Sequence, residues 1–414
     1  MAALAVLILT TTVLAQNAPT SQPKSVTVPI TLDQNRVVID VDLPLPDGSI
    51  ERVRGWVDSG NPDLYMSQRV AALMGLSVSC DGQICSGIPK SPGVSLEVVI
   101  DGMKIFLPSM REIKVPAGRP ALAPGMSAEI NIPSSVLRNY DVLFNFPDRK
   151  FTIGLPGSLK FNGVKSKMLV NASNGLIQIP SRIDNKNYDL GLNVGSSISF
   201  LSEELFERLS NTHSNWPHMT GAVGPFNTGE LGDEPEWKLM RVDRMQYGPL
   251  FLTEVAVADF PKDRRTVFEQ RAGIPTAGLL SAEALMNYRV GLDYAHSTVY
   301  FDIGRTINFP DFDVVGLILR PDDSRFTILA VADFDGKPSV PDVQAGDHLV
   351  AVNDIPVPDS TLGQVWSLLE GSPGQERKLT IERAGKYFTV VAKAQHFLGD
   401  APGNGEVKGK SKKN

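Results

Sequence analysis

The chain repeats itself, and a duplicated segment limits the fold more than any single motif. Residues 137–153 (LRNYDVLFNFPDRKFTI) align without a gap on residues 285–301 (LMNYRVGLDYAHSTVYF), Asn139-Tyr140 falling on Asn287-Tyr288 at an offset of 148. The two copies also share a beginning. Trp56-Val57-Asp58-Ser59-Gly60, followed by Leu64-Tyr65-Met66-Ser67, matches Gly191-Leu192-Asn193-Val194-Gly195, followed by Ser199-Phe200-Leu201-Ser202. A helical stretch comes next in each, Gln68 to Met74 and Glu203 to Leu209, the second capped by Ser202 with acidic residues in its first turn. Elsewhere the pattern is of short strands, such as Val26 to Thr31, Arg36 to Leu43 and Ile50 to Val57, the last two joined by a Pro46-Asp47-Gly48 turn. These features predict a mainly β protein with two related lobes, 28–155 and 156–305.

Two apolar residues, Asp-Ser-Gly, a polar turn and an apolar strand ending in serine form the arrangement that presents a carboxylate in aspartic peptidases, and the first lobe resembles that pepsin/retropepsin-like family. The resemblance covers roughly residues 28 to 303 and implies two β-barrel lobes with a cleft between them. Thr276-Ala277-Gly278-Leu279-Leu280 resembles the apolar-apolar-Gly segment that packs against the motif, whereas Glu129-Ile130-Asn131-Ile132 lacks the glycine. Carried over by position, the catalytic residues are Asp58, with Ser59 and Gly60, and a degenerate second position at Asn193, with Gly195. The chemistry needs two carboxylates that share one proton, one acting as base and one as acid. An amide at 193 cannot exchange that proton, and Val194 stands where a hydroxyl residue makes an interlobe hydrogen bond. Asp58, without a like-charged neighbour, is expected to stay ionised. A four-residue register slip offers Asp189 as an alternative carboxylate, on the same strand face as Asn193. The 219–232 loop, with four glycines, reads either as a flap over the cleft or as a surface loop.

From Asp313 the character changes. Val315-Gly316-Leu317-Ile318-Leu319, a strand 326–332, Gly346-Asp347 leading into an apolar strand, a helix 361–370 capped by Ser360, and closing strands 378–383 and 387–392 resemble a bacterial PDZ domain over 312–396. Such α+β domains hold a peptide C-terminus by strand addition, with loop amides on its carboxylate. The resemblance places Gly316, Leu317 and Ile318 there, unless the protein fills its own groove. Where the family has a small-residue helix, this chain has Pro341-Asp342-Val343.

Residues 1–15 are almost wholly apolar and end in Val13-Leu14-Ala15, the pattern of a cleaved signal peptide, and the stretch is too short to span a bilayer. The expected location is therefore periplasmic or secreted, with no transmembrane segment after cleavage. Cys80 and Cys85 are the only cysteines. In an oxidising compartment they close a small loop, where pepsin-like enzymes often carry a disulfide; otherwise they are free thiols. Neither they nor the five scattered histidines make a metal site, and no cofactor is expected. A net charge of -6 over 414 residues argues against nucleic acid, and the lysines of 397–414 read as a disordered tail. The expected function is that of an exported, catalytically impaired binder of peptides or unfolded segments; the competing reading is an active endopeptidase using Asp58 with an atypical partner.

Overall fold

The structure, a computed structural model, describes residues 22–399 apart from 83, 90–95, 108–112, 118–120, 123–124, 221–237, 274, 305–311, 323–324 and 335. The apolar leader, the lysine-rich end and residues 221–232 of the glycine-rich loop lie outside the described residues.

The two sequence copies are two β lobes threaded the same way. In the first, Arg36–Pro44 and Ile50–Asp58 form an antiparallel hairpin that sets Val38 opposite Trp56. Asp47 fixes its turn by accepting from the Ser49 amide and hydroxyl. Ile130–Pro133 then lies parallel to the motif strand, pairing Asp58 with Pro133. In the second lobe Ile177–Ile183 and Lys186–Asn193 form the hairpin, and Gly278–Ser281 lies parallel to it, pairing Asn193 with Ser281. The crossing strand recurs too, as an antiparallel bridge of Met66 to Ile130 in one lobe and a pairing of Leu201 with Gly278 in the other. At Gly278 a side chain has no room, because an added Cβ falls 2.1 Å from the Phe200 carbonyl oxygen. Sequence spacing anticipates the helices Gln68–Leu73 and Glu203–Thr212, capped by Ser67 and Ser202. It does not anticipate Lys262–Ala272, whose mixture of charges carries no apolar stripe.

The shared endings meet in a six-stranded sheet joining the lobes. At its centre Asp141–Asn145 runs antiparallel to Tyr288–Asp293 with Leu143 opposite Gly291. Those two residues are equivalent under the offset of 148, so the local twofold axis relating the lobes passes through that pair. Phe144, Phe146, Phe151 and Phe301 are buried beneath it.

Residues from 313 onward form a third unit. Five antiparallel strands stand in the order Leu317–Asp322, Arg325–Val331, His348–Val352, Glu376–Arg383 and Lys386–Lys393. They pack on the helix Leu362–Leu369 around Leu319, Ile328, Val352, Val365 and Leu379. The expected cap at Ser360 is displaced by one residue. Thr361 caps the helix in a reciprocal box with Gln364, which satisfies two amides instead of one. Pro341-Asp342 is a turn.

The expected tail boundary at 397 also needs correction. Gln395–His396 pairs with Asp313–Val314, and Phe397 and Leu398 are buried among Phe200, Leu239 and Phe260 of the second lobe. Arg241 Nε donates to the Leu398 carbonyl at 2.8 Å. Burying two large apolar side chains outweighs the disordering tendency of the polar residues that follow.

This clasp contains a pH-sensitive group. Burial pushes the Glu370 carboxyl up to about 7; a hydrogen bond with Trp366 opposes the rise and neighbouring Asp313 adds to it. Asp313 is paired with His396 at 2.5 Å. A raised folded-state value means that the protonated form favours folding. That contribution is complete below the unfolded value near 4.5 and is lost as pH rises through about 7. Docking of the clasp is therefore expected to be firmer at pH 5 than at pH 8, read by protease susceptibility, and Glu370→Gln should flatten the difference. A Glu370→Gln protein with the wild-type pH slope would contradict this.

Candidate active site

Both motif strands end at the contact between the lobes. Asp58 is 1% exposed and Ser59 fully buried. The Ser59 hydroxyl donates to the Leu192 carbonyl at 2.9 Å and accepts from the Val194 amide at 3.1 Å, so one side chain stitches both strand ends together. This corrects the expectation drawn from Val194. The second hydroxyl is absent, yet an interlobe hydrogen bond to position 194 persists through the backbone. The Val37 amide also donates to the Val194 carbonyl at 3.4 Å, and Asn35 Nδ2 to the Ser197 carbonyl at 3.2 Å.

The glycines show how closely the motifs face each other. A Cβ added to Gly60 falls 2.2 Å from Asn193 Cγ, and one added to Gly195 falls 2.5 Å from Asp58 Oδ1. Each glycine thus lies against the side chain of the opposite lobe, a reciprocal arrangement that any substituent would disrupt. Asn193 Oδ1 accepts from the Gly195 amide at 2.9 Å, while its Nδ2 lies 2.4 Å from the Cβ position of Gly60. Position 193 therefore presents a neutral N–H donor towards the first lobe.

Asp189 does not compete for that place. It stands opposite Pro180, four residues up the strand from Asn193, a separation of about 13 Å along an extended chain.

Sequence reasoning missed a third polar atom. Trp56, two residues before Asp58 and 6% exposed, has a buried indole Nε1 with no hydrogen-bond partner among the described residues. That nitrogen lies 3.0 Å from the Cβ position of Gly195, beside Asp58 Oδ1. The period-two alternation of a strand was the available signal. Trp56 packs with Leu122, Met126 and Ala128, and Tyr65 borders the cluster.

The remaining candidates lie elsewhere. Cys80 and Cys85 are disulfide-bonded across the hairpin of Leu76–Asp81 and Ile84–Pro89. No cluster of three or more His, Cys, Asp or Glu residues able to hold a metal occurs among the described residues.

Gly316 stands just before the strand Leu317–Asp322, and the backbone around it is already engaged. Leu317 and Ile318 are buried, and the Leu317 amide already donates to the Val315 carbonyl. The Val315 amide donates to the Leu369 carbonyl at the end of the helix. An added Cβ on Gly316 meets the Phe397 ring at 2.3 Å. A peptide carboxylate would need the amide and the space that these groups occupy.

No family model matches this chain, and no curated protein matches it. Among solved structures it is similar to the aspartic proteinase of Irpex lacteus, at 11% identity over 68% of this chain and 97% of that one, with a TM-score of 0.41. It is also similar to conglutin gamma, a basic 7S globulin of lupine seeds, at 10% identity over 68% and 95%, with a TM-score of 0.39.

Proposed function

We propose that this is an exported peptide-binding protein built on two pepsin-like lobes, whose cleft holds extended polypeptide without hydrolysing it, and whose C-terminal unit is a PDZ-type domain. The observation that carries this reading is the orientation of Asn193, which accepts from the Gly195 amide and turns a neutral N–H towards Gly60, two residues after Asp58. Proteolysis of this class needs an acid and a base that trade one proton, and an amide supplies neither. A carboxylate facing a fixed N–H donor complements a peptide bond, whose N–H donates and whose carbonyl accepts. The apolar leader favours export, and the order of strands and helix after Asp313 favours the PDZ assignment.

Reduced, carboxymethylated α-lactalbumin, an unfolded chain, is a suitable probe in calorimetry. Saturable binding with full recovery of intact probe is the expected result, and Asp58→Ala should weaken it at least about tenfold, the equivalent of a hydrogen bond to a charged group. Absence of binding by the wild type would contradict the proposal.

A further inference from the structure

The second lobe carries a cavity of about 290 Å³ on the solvent face of its sheet. Its floor includes one row across three strands: Arg182 of Ile177–Ile183 stands opposite Gln246 of Lys238–Tyr247, and Gln246 opposite Phe251 of Leu250–Phe260. The intervening Ser181, Ile183, Met245 and Tyr247 are buried, so strand alternation turns Arg182, Arg244 and Gln246 outwards. Arg244, two residues from Gln246, is the diagonal neighbour of Arg182, about 7–8 Å away. The place is remote from the contact between the lobes. Asn187, opposite Arg182 across the hairpin, is six residues from Asn193, about 20 Å along an extended chain.

A loop after the helix Glu203–Thr212 walls the cavity, and a chain of contacts holds it in place. Arg208 donates to Asp184 at 2.8 Å and to the Tyr188 hydroxyl at 2.8 Å. His213 Nε2 lies 3.3 Å from Asp184 Oδ1, and the His213 ring stacks on Trp216 with centroids 4.1 Å apart. The groups in front of that wall are uncommitted. Phe251 is 69% exposed, and the lining side chains of Arg182, Asn185, Asp243 and Arg244 make no hydrogen bond or ion pair among the described residues.

We propose that this cavity binds a saccharide ring bearing one carboxylate. Two guanidinium groups at diagonal positions suit that carboxylate, which arginine grips through parallel N–H donors. Asn185 and Asp243 offer planar polar groups to the ring hydroxyls. Trp216 and Phe251 offer aromatic walls, whose electron-rich faces attract the C–H side of a sugar. Asp243 opposes a second negative charge by like-charge repulsion, which disfavours polyphosphates and acidic peptides. The volume falls at the small end of ligand sites and suits one or two rings instead of an extended chain. This site is independent of the peptide binding proposed for the cleft.

Calorimetry on the full chain tests it with methyl glucuronide, methyl galacturonide and methyl sialoside. At least one should bind saturably with a Kd of about 1 mM or tighter, and its methyl ester, which lacks the charge, about 10-fold more weakly. Arg182→Gln and Arg244→Gln, at exposed positions where substitution perturbs folding little, should each weaken the acid about 10-fold. Arg52→Gln removes the same charge from the first lobe and should leave the affinity unchanged. The bound sugar should also alter the emission of Trp216, assigned with Trp216→Phe. No saturable binding by any of the three acids overturns the proposal, as does an ester that binds as well as its acid, or an affinity that survives either substitution in the cavity. Tetraglutamate bound through these arginines more tightly than every sugar would overturn it too, by marking a peptide site.

Discussion

Asn193→Asp combined with Val194→Thr should give a protein that cuts unfolded polypeptide with an acid optimum, about 10²- to 10⁴-fold faster than the parent, the usual worth of a positioned acid or base. The geometry favours a clean substitution. Asp is nearly isosteric with Asn, and its inner oxygen keeps the hydrogen bond from the Gly195 amide. The outer oxygen then replaces an N–H opposite Asp58. Two carboxylates so placed cannot both ionise, and the shared proton supplies the missing acid. The threonine hydroxyl adds to the second lobe the link that Ser59 already makes from the first. Peptide-bond cleavage at pH 3 to 7, followed by mass spectrometry, checks this. A double variant as inert as the parent would show that more than the proton donor has been lost from the cleft.

Asp33→Ala should free the C-terminal unit from the lobes and cost about 3 kcal/mol, the worth of two hydrogen bonds to a charged group. Asp33 is 4% exposed and ends the strand Thr31–Asp33, which pairs with Arg36–Pro44. Its Oδ1 accepts from the Thr361 hydroxyl at 3.0 Å and the Gly363 amide at 2.9 Å, in the first turn of the helix. The other oxygen lies 3.8 Å from the guanidinium of Arg36, itself 1% exposed. Removing the carboxylate takes one partner from Arg36, which keeps its bonds to the Asp33 carbonyl and Gln34 Oε1, and leaves two donors at the start of the helix unsatisfied at once. Gly363→Ala attacks the joint from the other side, since its Cβ would fall 2.2 Å from Asp33 Oδ1. Both variants should show an early unfolding transition in urea and a larger radius of gyration by X-ray scattering. Wild-type values of both in Asp33→Ala would contradict the joint.

The lobes were legible because duplication leaves its mark at fixed offsets. The endings around Asn139-Tyr140 and Asn287-Tyr288 became the central pair of strands, and the two motifs became strand ends facing each other's glycines. The helix Lys262–Ala272 was not legible, because its residues show no face. Nor was the burial of Phe397 and Leu398, two apolar residues at the edge of a lysine-rich terminus. The contact of Asp33 with Thr361 joins residues separated by 328 positions, and no local pattern records such a partnership. The cap at Thr361 and the engaged backbone at Gly316 share that cause. The Thr361 hydroxyl is held by Asp33 of the first lobe, and the backbone at Gly316 by Phe397, some eighty residues further along the chain, so neither is contained in the local pattern around it.

The most direct measurement of the central claim is incubation of the wild type with carboxymethylated α-lactalbumin from pH 3 to 7, beside Asp58→Ala and a hydroxyl-bearing transition-state mimic. The account expects the wild type to bind the chain and return it intact at every pH, with the mimic competing for the same cleft. Efficient cleavage by the wild type that vanishes in Asp58→Ala would contradict it, because Asp58 would then have a working proton partner other than Asn193.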